Sequence, residues 1–234
     1  MSTSRPTDGQ SGWPDDGIRI ALYQRWVWCC GIGVPLGLAM VLILGWKLGP
    51  LWPYRFSPVW ARGWAPPVLA TLLGAMVQYL VLGLVQALAL RPAYPRLSVP
   101  RWVVATTLAG ALTALAFAAL SVAILPRTAA GVLVITDLLL RAFLPACAVA
   151  LVQSRLLASV AASHRGWVLH MMAGWVLGPI ALMIVMSLWF VVRDPIGAIA
   201  LPVIGAVASG VVLGLVSGRA FRFMPPRTAP RSPP

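Results

Sequence analysis

The chain has 234 residues, of which 60% are hydrophobic and only 10% are charged. A typical soluble domain carries roughly 25% charged residues, so this charged fraction is too small to cover a surface in contact with water. The five acidic residues are all Asp, which excludes His-Glu-x-x-His zinc proteases and other chemistry that needs a catalytic Glu. The composition predicts an all-α polytopic membrane protein that is not an enzyme and carries no cofactor or metal.

Six apolar segments, each of about 20 residues or more, are long enough to cross the roughly 30 Å hydrocarbon core of a bilayer. Ser, Thr, Pro, Asp and Gly dominate 1–15, and Arg and Pro dominate 218–234, so we predict disordered tails there. A helical start at 18–25, capped by Asp15 or Asp16, leads into the membrane domain, which covers 16–217. The predicted transmembrane helices are 26–46, 68–90, 102–125, 132–152, 167–192 and 196–217.

The net charge of +13 is explained by Arg residues at the ends of the apolar segments. There they meet the head groups of a lipid bilayer, so the predicted partner is lipid and not nucleic acid. Twelve Lys and Arg residues lie on the side of the two tails and the second and fourth loops, and five lie on the other side. Because cytoplasmic loops carry the excess of basic residues, both termini are predicted to be cytoplasmic.

The apolar segments repeat in pairs. Odd segments open with Arg-Trp-Val or Arg-Gly-Trp-Val, at Trp26, Trp102 and Trp167. Even segments close with Gly-Leu-Val-Gln, Ala-Leu-Val-Gln and Gly-Leu-Val-Ser, at Gln86, Gln153 and Ser217. The interfacial preference of Trp and Arg explains the openings alone, whereas three related helical hairpins explain the openings and the closings.

Hairpins that end in Gly-x-x-Gln and continue through an Arg-rich loop to an Arg-Trp opening resemble repeats of uncharacterised bacterial multi-pass membrane proteins. The resemblance covers most of residues 80–220. This chain departs from it at Ser217, where the Gln is missing, and at Ala87, where a second aromatic residue is expected. The resemblance implies a location in the bacterial cytoplasmic (inner) membrane, and it implies no activity.

Small residues at four-residue spacing predict a helix-packing seam on the last segment, formed by Gly210, Gly214 and Gly218. In lipid, helices associate where small residues let the backbones approach. The seam has two interpretations. It packs against another helix of the same chain, or it joins the chain to a second copy or another subunit.

Asp137 and Arg141 form the only acid–base pair at membrane depth, and their four-residue spacing places them on one helix face. This intramembrane ion pair either fixes the orientation of its helix or lines a solute or ion site. We also interpret His170, Gln86 and Gln153 as candidates for polar contacts between helices.

These features favour a non-enzymatic membrane protein, either a scaffold or a subunit of a membrane complex. The alternative is a small transporter or ion-coupled permease that uses Asp137 and Arg141, although transporters usually place several polar or broken-helix elements at the midplane. An enzyme that acts on lipid is a third hypothesis, for which the sequence names no base or nucleophile.

Overall fold

A computed structural model shows six α-helices and a short 3₁₀ helix. It describes residue 13 and residues 15–48, 65–124, 132–164, 166–188 and 195–227. Inside the helices, the side chains of residues 45–48, 65–68, 70, 118–124, 132–142, 195 and 198–199 fall outside this description. Within the described part the protein is all-helical and contains no strand beyond one isolated bridge between Ala161 and Pro226.

The six helices follow the predicted segments closely. They are α1 (Asp16–Leu48), α2 (Ala65–Leu90), α3 (Val99–Ile124), α4 (Val132–Leu157), α5 (Trp167–Ser187) and α6 (Pro195–Gly218). Five of them, α1, α2, α3, α5 and α6, contain described segments that are long and apolar enough to cross a membrane. A continuous helix suits an apolar segment in lipid because it satisfies every backbone hydrogen bond inside itself.

Helix α4 has 26 residues, and its described apolar part is shorter, Phe143–Leu157. The prediction of a sixth transmembrane helix therefore stays a prediction. Each even helix packs against both of its neighbours in the chain. Packing alone therefore does not single out three hairpins.

Helix α1 begins at Asp16, two residues before the predicted helical start at 18–25. The carboxylate of Asp15 accepts a hydrogen bond of 2.7 Å from the backbone N–H of Gly17, and Asp16 lies in the first turn. A carboxylate at this end satisfies a free N–H group and interacts favourably with the helix dipole.

The helices pack in a cyclic order. Each one packs against the next in the chain, and α6 packs against α1. The buried core lies at the end of this ring where α1 begins and α6 ends, and its largest buried side chains include Trp26, Trp102, Trp167, Tyr94 and Phe221. We call this end the capped end.

Residues 219–227, which we call the cap segment, cross this end of the ring. Arg219–Phe223 form the 3₁₀ helix. Their carbonyl groups and those of the following residues accept hydrogen bonds from Trp13 at Phe221 (2.7 Å), from Tyr94 at Met224 (2.5 Å) and from Ala162 at Pro225 (2.8 Å). The cap segment therefore joins the start of the described chain, the α2–α3 loop and the α4–α5 loop.

The structure differs here from the predicted tails. Phe221 and Met224 are 1% and 0% exposed, although Arg and Pro in this segment predicted disorder from Gly218 onward. Trp13, inside the predicted N-terminal tail, is 7% exposed. Burial of these large apolar side chains stabilises their positions in the capped end, at about 25 cal/mol for each Å² of apolar surface removed from water.

Candidate functional site

Three Trp side chains meet inside the capped end. Trp26 lies ten residues inside α1, Trp102 lies in the first turn of α3 and Trp167 begins α5. Each is 0% exposed. The ring centroid of Trp167 lies 5.5 Å from that of Trp26 and 6.3 Å from that of Trp102, in edge-to-face geometry. Phe221 of the cap segment packs 5.4 Å from Trp26. These aromatic rings form one cluster, which we call the indole layer, and it fills the centre of the ring.

Polar side chains from the ends of α2, α4 and α6 lie beside the indole layer. Gln86, Gln153 and Ser217 are each 0% exposed. Gln153 Nε2 donates hydrogen bonds to Gln86 Oε1 at 2.9 Å and to Thr106 Oγ1 at 3.0 Å. Trp26 Nε1 donates to Ser217 Oγ at 2.9 Å. Polar bonds of this kind hold helices together where no hydrophobic driving force acts between them.

A second set of buried residues follows each Trp by four positions. Cys30, Thr106 and Met171 are all 0% exposed, because residues four apart share a helix face. Thr106 bonds Gln153, and the Cys30 thiol lies against the Gln86 side chain. The sequence therefore places a polar partner opposite each Gln.

The third pair of helices, α5 and α6, lacks this pairing between a Gln and a polar residue. Met171 stands at the position of Cys30 and Thr106, and Ser217 stands at the position of the two Gln residues. Ser217 donates its hydroxyl hydrogen to the Leu213 carbonyl at 2.5 Å and accepts from Trp26. The departure from the sequence repeat at Ser217 is thus accompanied by a change at Met171 and by a hydrogen bond to α1.

The predicted glycine seam lies against α1 of the same chain. A Cβ atom added at Gly214 would stand 2.7 Å from Val27 Cα, and one at Gly218 would stand 2.9 Å from the Tyr23 ring. A Cβ at Gly210 would collide with the Cys30 carbonyl. This seam is occupied within the chain, so a partner subunit would have to use another face of α6.

Of the remaining predicted residues, the structure describes the side chains of His170, Gln86 and Gln153. Asp137 and Arg141 lie on α4, and their side chains fall outside the described residues. His170 lies in the first turn of α5, where its Nδ1 hydrogen-bonds the Gly166 carbonyl at 2.8 Å. It is partly exposed and belongs to the rim of the capped end, whereas Gln86 and Gln153 belong to its centre.

The interior position of the three Trp residues was not predicted, since one of the two interpretations of their pattern was a preference for the membrane interface. A usable signal was present in the sequence. In every odd segment the Trp is followed four positions later by Cys, Thr or Met, so one helix face carries both residues in each repeat. The role of the cap segment left no such signal.

The five membrane-length helices and the apolar outer surface define a helical multi-span membrane protein. Comparison with known proteins gives no match to a protein-family model, a curated protein or a solved structure. Among the described residues there is no group of three or more His, Cys, Asp or Glu that could hold a metal ion.

Proposed function

We propose that this chain is a non-catalytic membrane protein that serves as a scaffold or as a subunit of a membrane complex. We further propose that its six helices cross the bacterial cytoplasmic membrane as three related hairpins with both termini in the cytoplasm. The observation that carries the proposal is the indole layer. Trp26, Trp102 and Trp167 fill the centre of the ring at its capped end.

The proposed repeat is supported by the burial of residues at equivalent positions in the three pairs of helices. The opening Trp, the residue four positions later and the closing Gln or Ser are completely buried in all three pairs of helices. The cyclic packing order of the helices suits three equivalent units around one axis. Chance placement of Trp at a membrane interface gives no reason for this shared burial, because interfacial Trp side chains face the head groups.

The role of scaffold or subunit is supported by how the ring is filled. A solute path along its axis would have to displace three indole rings and the cap segment, which is hydrogen-bonded to Trp13, Tyr94 and Ala162. The transporter alternative rests on Asp137 and Arg141 alone. It therefore has less support than the scaffold role, which rests on the filled centre of the capped end.

The surface offered to lipid or to a partner is the outside of the ring. Trp28 on α1 is 71% exposed and Leu169 on α5 is 70% exposed. Apolar side chains of this size face acyl chains or another transmembrane helix. Since the glycine face of α6 is covered by α1, we place the partner surface on the outward faces of α1, α3 or α5.

Photo-crosslinking in cells tests this proposal. A photoreactive amino acid is introduced at Trp28, Leu112 or Leu169, which are exposed, and at buried Leu82 as the control. We expect at least one exposed position to give an adduct with a single protein or with a second copy, and Leu82 to give none. An alanine at the same exposed position should weaken co-purification in mild detergent.

Reconstitution in vesicles tests the transporter alternative. A scaffold should leave ion and solute flux at the level of protein-free vesicles. Flux above that level which is abolished by Asp137→Asn, together with lipid adducts alone in the crosslinking, would overturn the proposal in favour of a transporter.

A further inference from the structure

A pocket opens on the rim of the capped end, where α1, α5 and the cap segment meet. Its volume is about 420 Å³, and its walls include Arg19 and Tyr23 of α1, His170 of α5, and Arg219 and Arg222 of the cap segment. We propose that this pocket binds the phosphate group of an anionic phospholipid. This inference goes beyond the scaffold role, and it does not depend on the identity of any protein partner.

The positive charge of the pocket supports an anionic ligand. Three guanidinium groups line it, from Arg19, Arg219 and Arg222. Arg19 is paired with the exposed carboxylate of Asp16 at 3.2 Å, whereas no salt bridge to Arg219 or Arg222 occurs within the described part of the chain. Guanidinium groups bind phosphate through parallel charge-assisted hydrogen bonds.

The aromatic wall of the pocket is held in place by the protein. His170 Nδ1 is 2.8 Å from the Gly166 carbonyl, so this nitrogen carries the hydrogen. The imidazole lies beside the Phe223 ring, with centroids 6.3 Å apart. Tyr23 donates a 3.4 Å hydrogen bond to the Leu215 carbonyl. The shorter His170 bond orients the imidazole before any ligand arrives, which reduces the entropy cost of binding.

Apolar side chains at the edge of the pocket favour a lipid over a free anion. Ile20 and Phe223 line it, and they are 51% and 53% exposed. They lie at the ends of segments that are long and apolar enough to cross a membrane, where we expect head groups to meet acyl chains. Apolar side chains beside guanidinium groups match the acyl chains and the phosphate of a phospholipid. Inorganic phosphate has no apolar part that could contact these side chains.

Two alternative features of the chain match this chemistry less well. Residues 228–234 contain one Arg and no acid, so the charge of the pocket repels them. Arg91 and Arg96 lie in the α2–α3 loop of the same capped end and are exposed, but they do not line this pocket. They provide a matched control, because their removal takes away the same charge from the same end.

The test uses the full chain in bilayer discs made of equal amounts of phosphatidylcholine and phosphatidylglycerol. After extraction into mild detergent, native mass spectrometry counts the lipids that stay bound. We expect wild type and the R91Q/R96Q control to retain phosphatidylglycerol in preference to phosphatidylcholine. The R219Q/R222Q variant should retain about one tenth as much phosphatidylglycerol as wild type, or less, because each Arg near an anionic lipid contributes measurably to binding.

Both Arg side chains in the test variant are exposed, and an unchanged melting temperature will show that the fold is intact. Equal retention in wild type and R219Q/R222Q, or equal loss in R91Q/R96Q, would overturn the proposal by showing attraction to general surface charge. In a second arm, inorganic phosphate is added at the concentration of the lipid. Displacement of the lipid would assign the pocket to free phosphate and overturn the lipid assignment.

Discussion

Trp26 donates its indole N–H to the hydroxyl of Ser217 at 2.9 Å, across the junction between the first and last helices. The two residues are 191 positions apart, and both are completely buried. Ser217 is the position at which the sequence repeat loses its Gln. The bond gives the hydroxyl at this position a role of its own, because it provides the buried Trp26 N–H with an acceptor.

Ser217→Ala should destabilise the protein by about 1–3 kcal/mol, since it leaves the Trp26 N–H buried without an acceptor. The measurement is thermal unfolding of the purified protein in one detergent. Ser187→Ala is the matched control, because the Ser187 hydroxyl is exposed and bonds the Ile184 carbonyl of its own helix. Equal melting temperatures for the two variants would contradict the importance of this bond.

Gln86 and Gln153 should behave as a coupled pair. Gln153→Leu removes the donor to both Gln86 Oε1 and Thr106 Oγ1 and should cost about 1–2 kcal/mol. The double variant Gln86→Leu and Gln153→Leu should cost less than the sum of the two single variants, because neither amide is then left buried alone. Strict additivity in a double-mutant cycle of unfolding free energies would count against this interpretation.

Gly214→Ala should destabilise the contact between α1 and α6. The new Cβ would stand 2.7 Å from Val27 Cα, which is backbone and cannot move aside as a flexible side chain can. Overpacking of this kind costs about 1–3 kcal/mol. Val203→Leu on the same helix is the control, because Val203 is 55% exposed. The prediction fails if both variants unfold at the wild-type temperature.

Tyr94→Phe should loosen the cap segment. It removes the hydroxyl that bonds the Met224 carbonyl at 2.5 Å, and trypsin should then cleave faster at Arg219, Arg222 or Arg227. Tyr23→Phe is the control, because the Tyr23 bond to Leu215 is longer, 3.4 Å, and exposed. Unchanged cleavage rates in Tyr94→Phe would mean that the remaining contacts hold the cap segment without this bond.

Tyr94 should also make stability depend on pH in the alkaline range. Burial raises the pKa of the Tyr94 hydroxyl in the folded protein above the ordinary value of about 10. The unfolded chain therefore loses this proton first, and the folded state loses relative stability as the pH rises above about 10. Melting temperatures between neutral pH and pH ~11 should fall less steeply in Tyr94→Phe than in wild type.

Reporter fusions test the proposed orientation. Fusions after residues 98 and 160 should report the cytoplasm, and fusions after residues 60, 128 and 194 should report the opposite side, as the distribution of basic residues predicts. A cytoplasmic signal after residue 60 or residue 194 would contradict six transmembrane helices.

The sequence by itself determined the membrane class and most helix positions. An apolar segment of about 20 residues forms a helix in lipid whatever its neighbours are, because only its own backbone can satisfy its hydrogen bonds. Five described helices meet this condition of length and apolarity. The four-residue spacing of Gly210, Gly214 and Gly218 likewise predicted a close approach between helices, which depends on backbone geometry alone.

Only the tertiary structure decided which surfaces meet. The glycine spacing is the same whether the facing helix is α1 or a partner, and the structure places Val27 and Tyr23 there. Trp suits a membrane interface as well as a buried site, since its ring is apolar and its N–H is polar. The indole layer became visible only when three helices, more than 60 residues apart in the chain, brought Trp26, Trp102 and Trp167 together. The cap segment is a second example. Its Arg and Pro residues predicted a disordered tail, and only the tertiary structure shows the buried site that Phe221 fills.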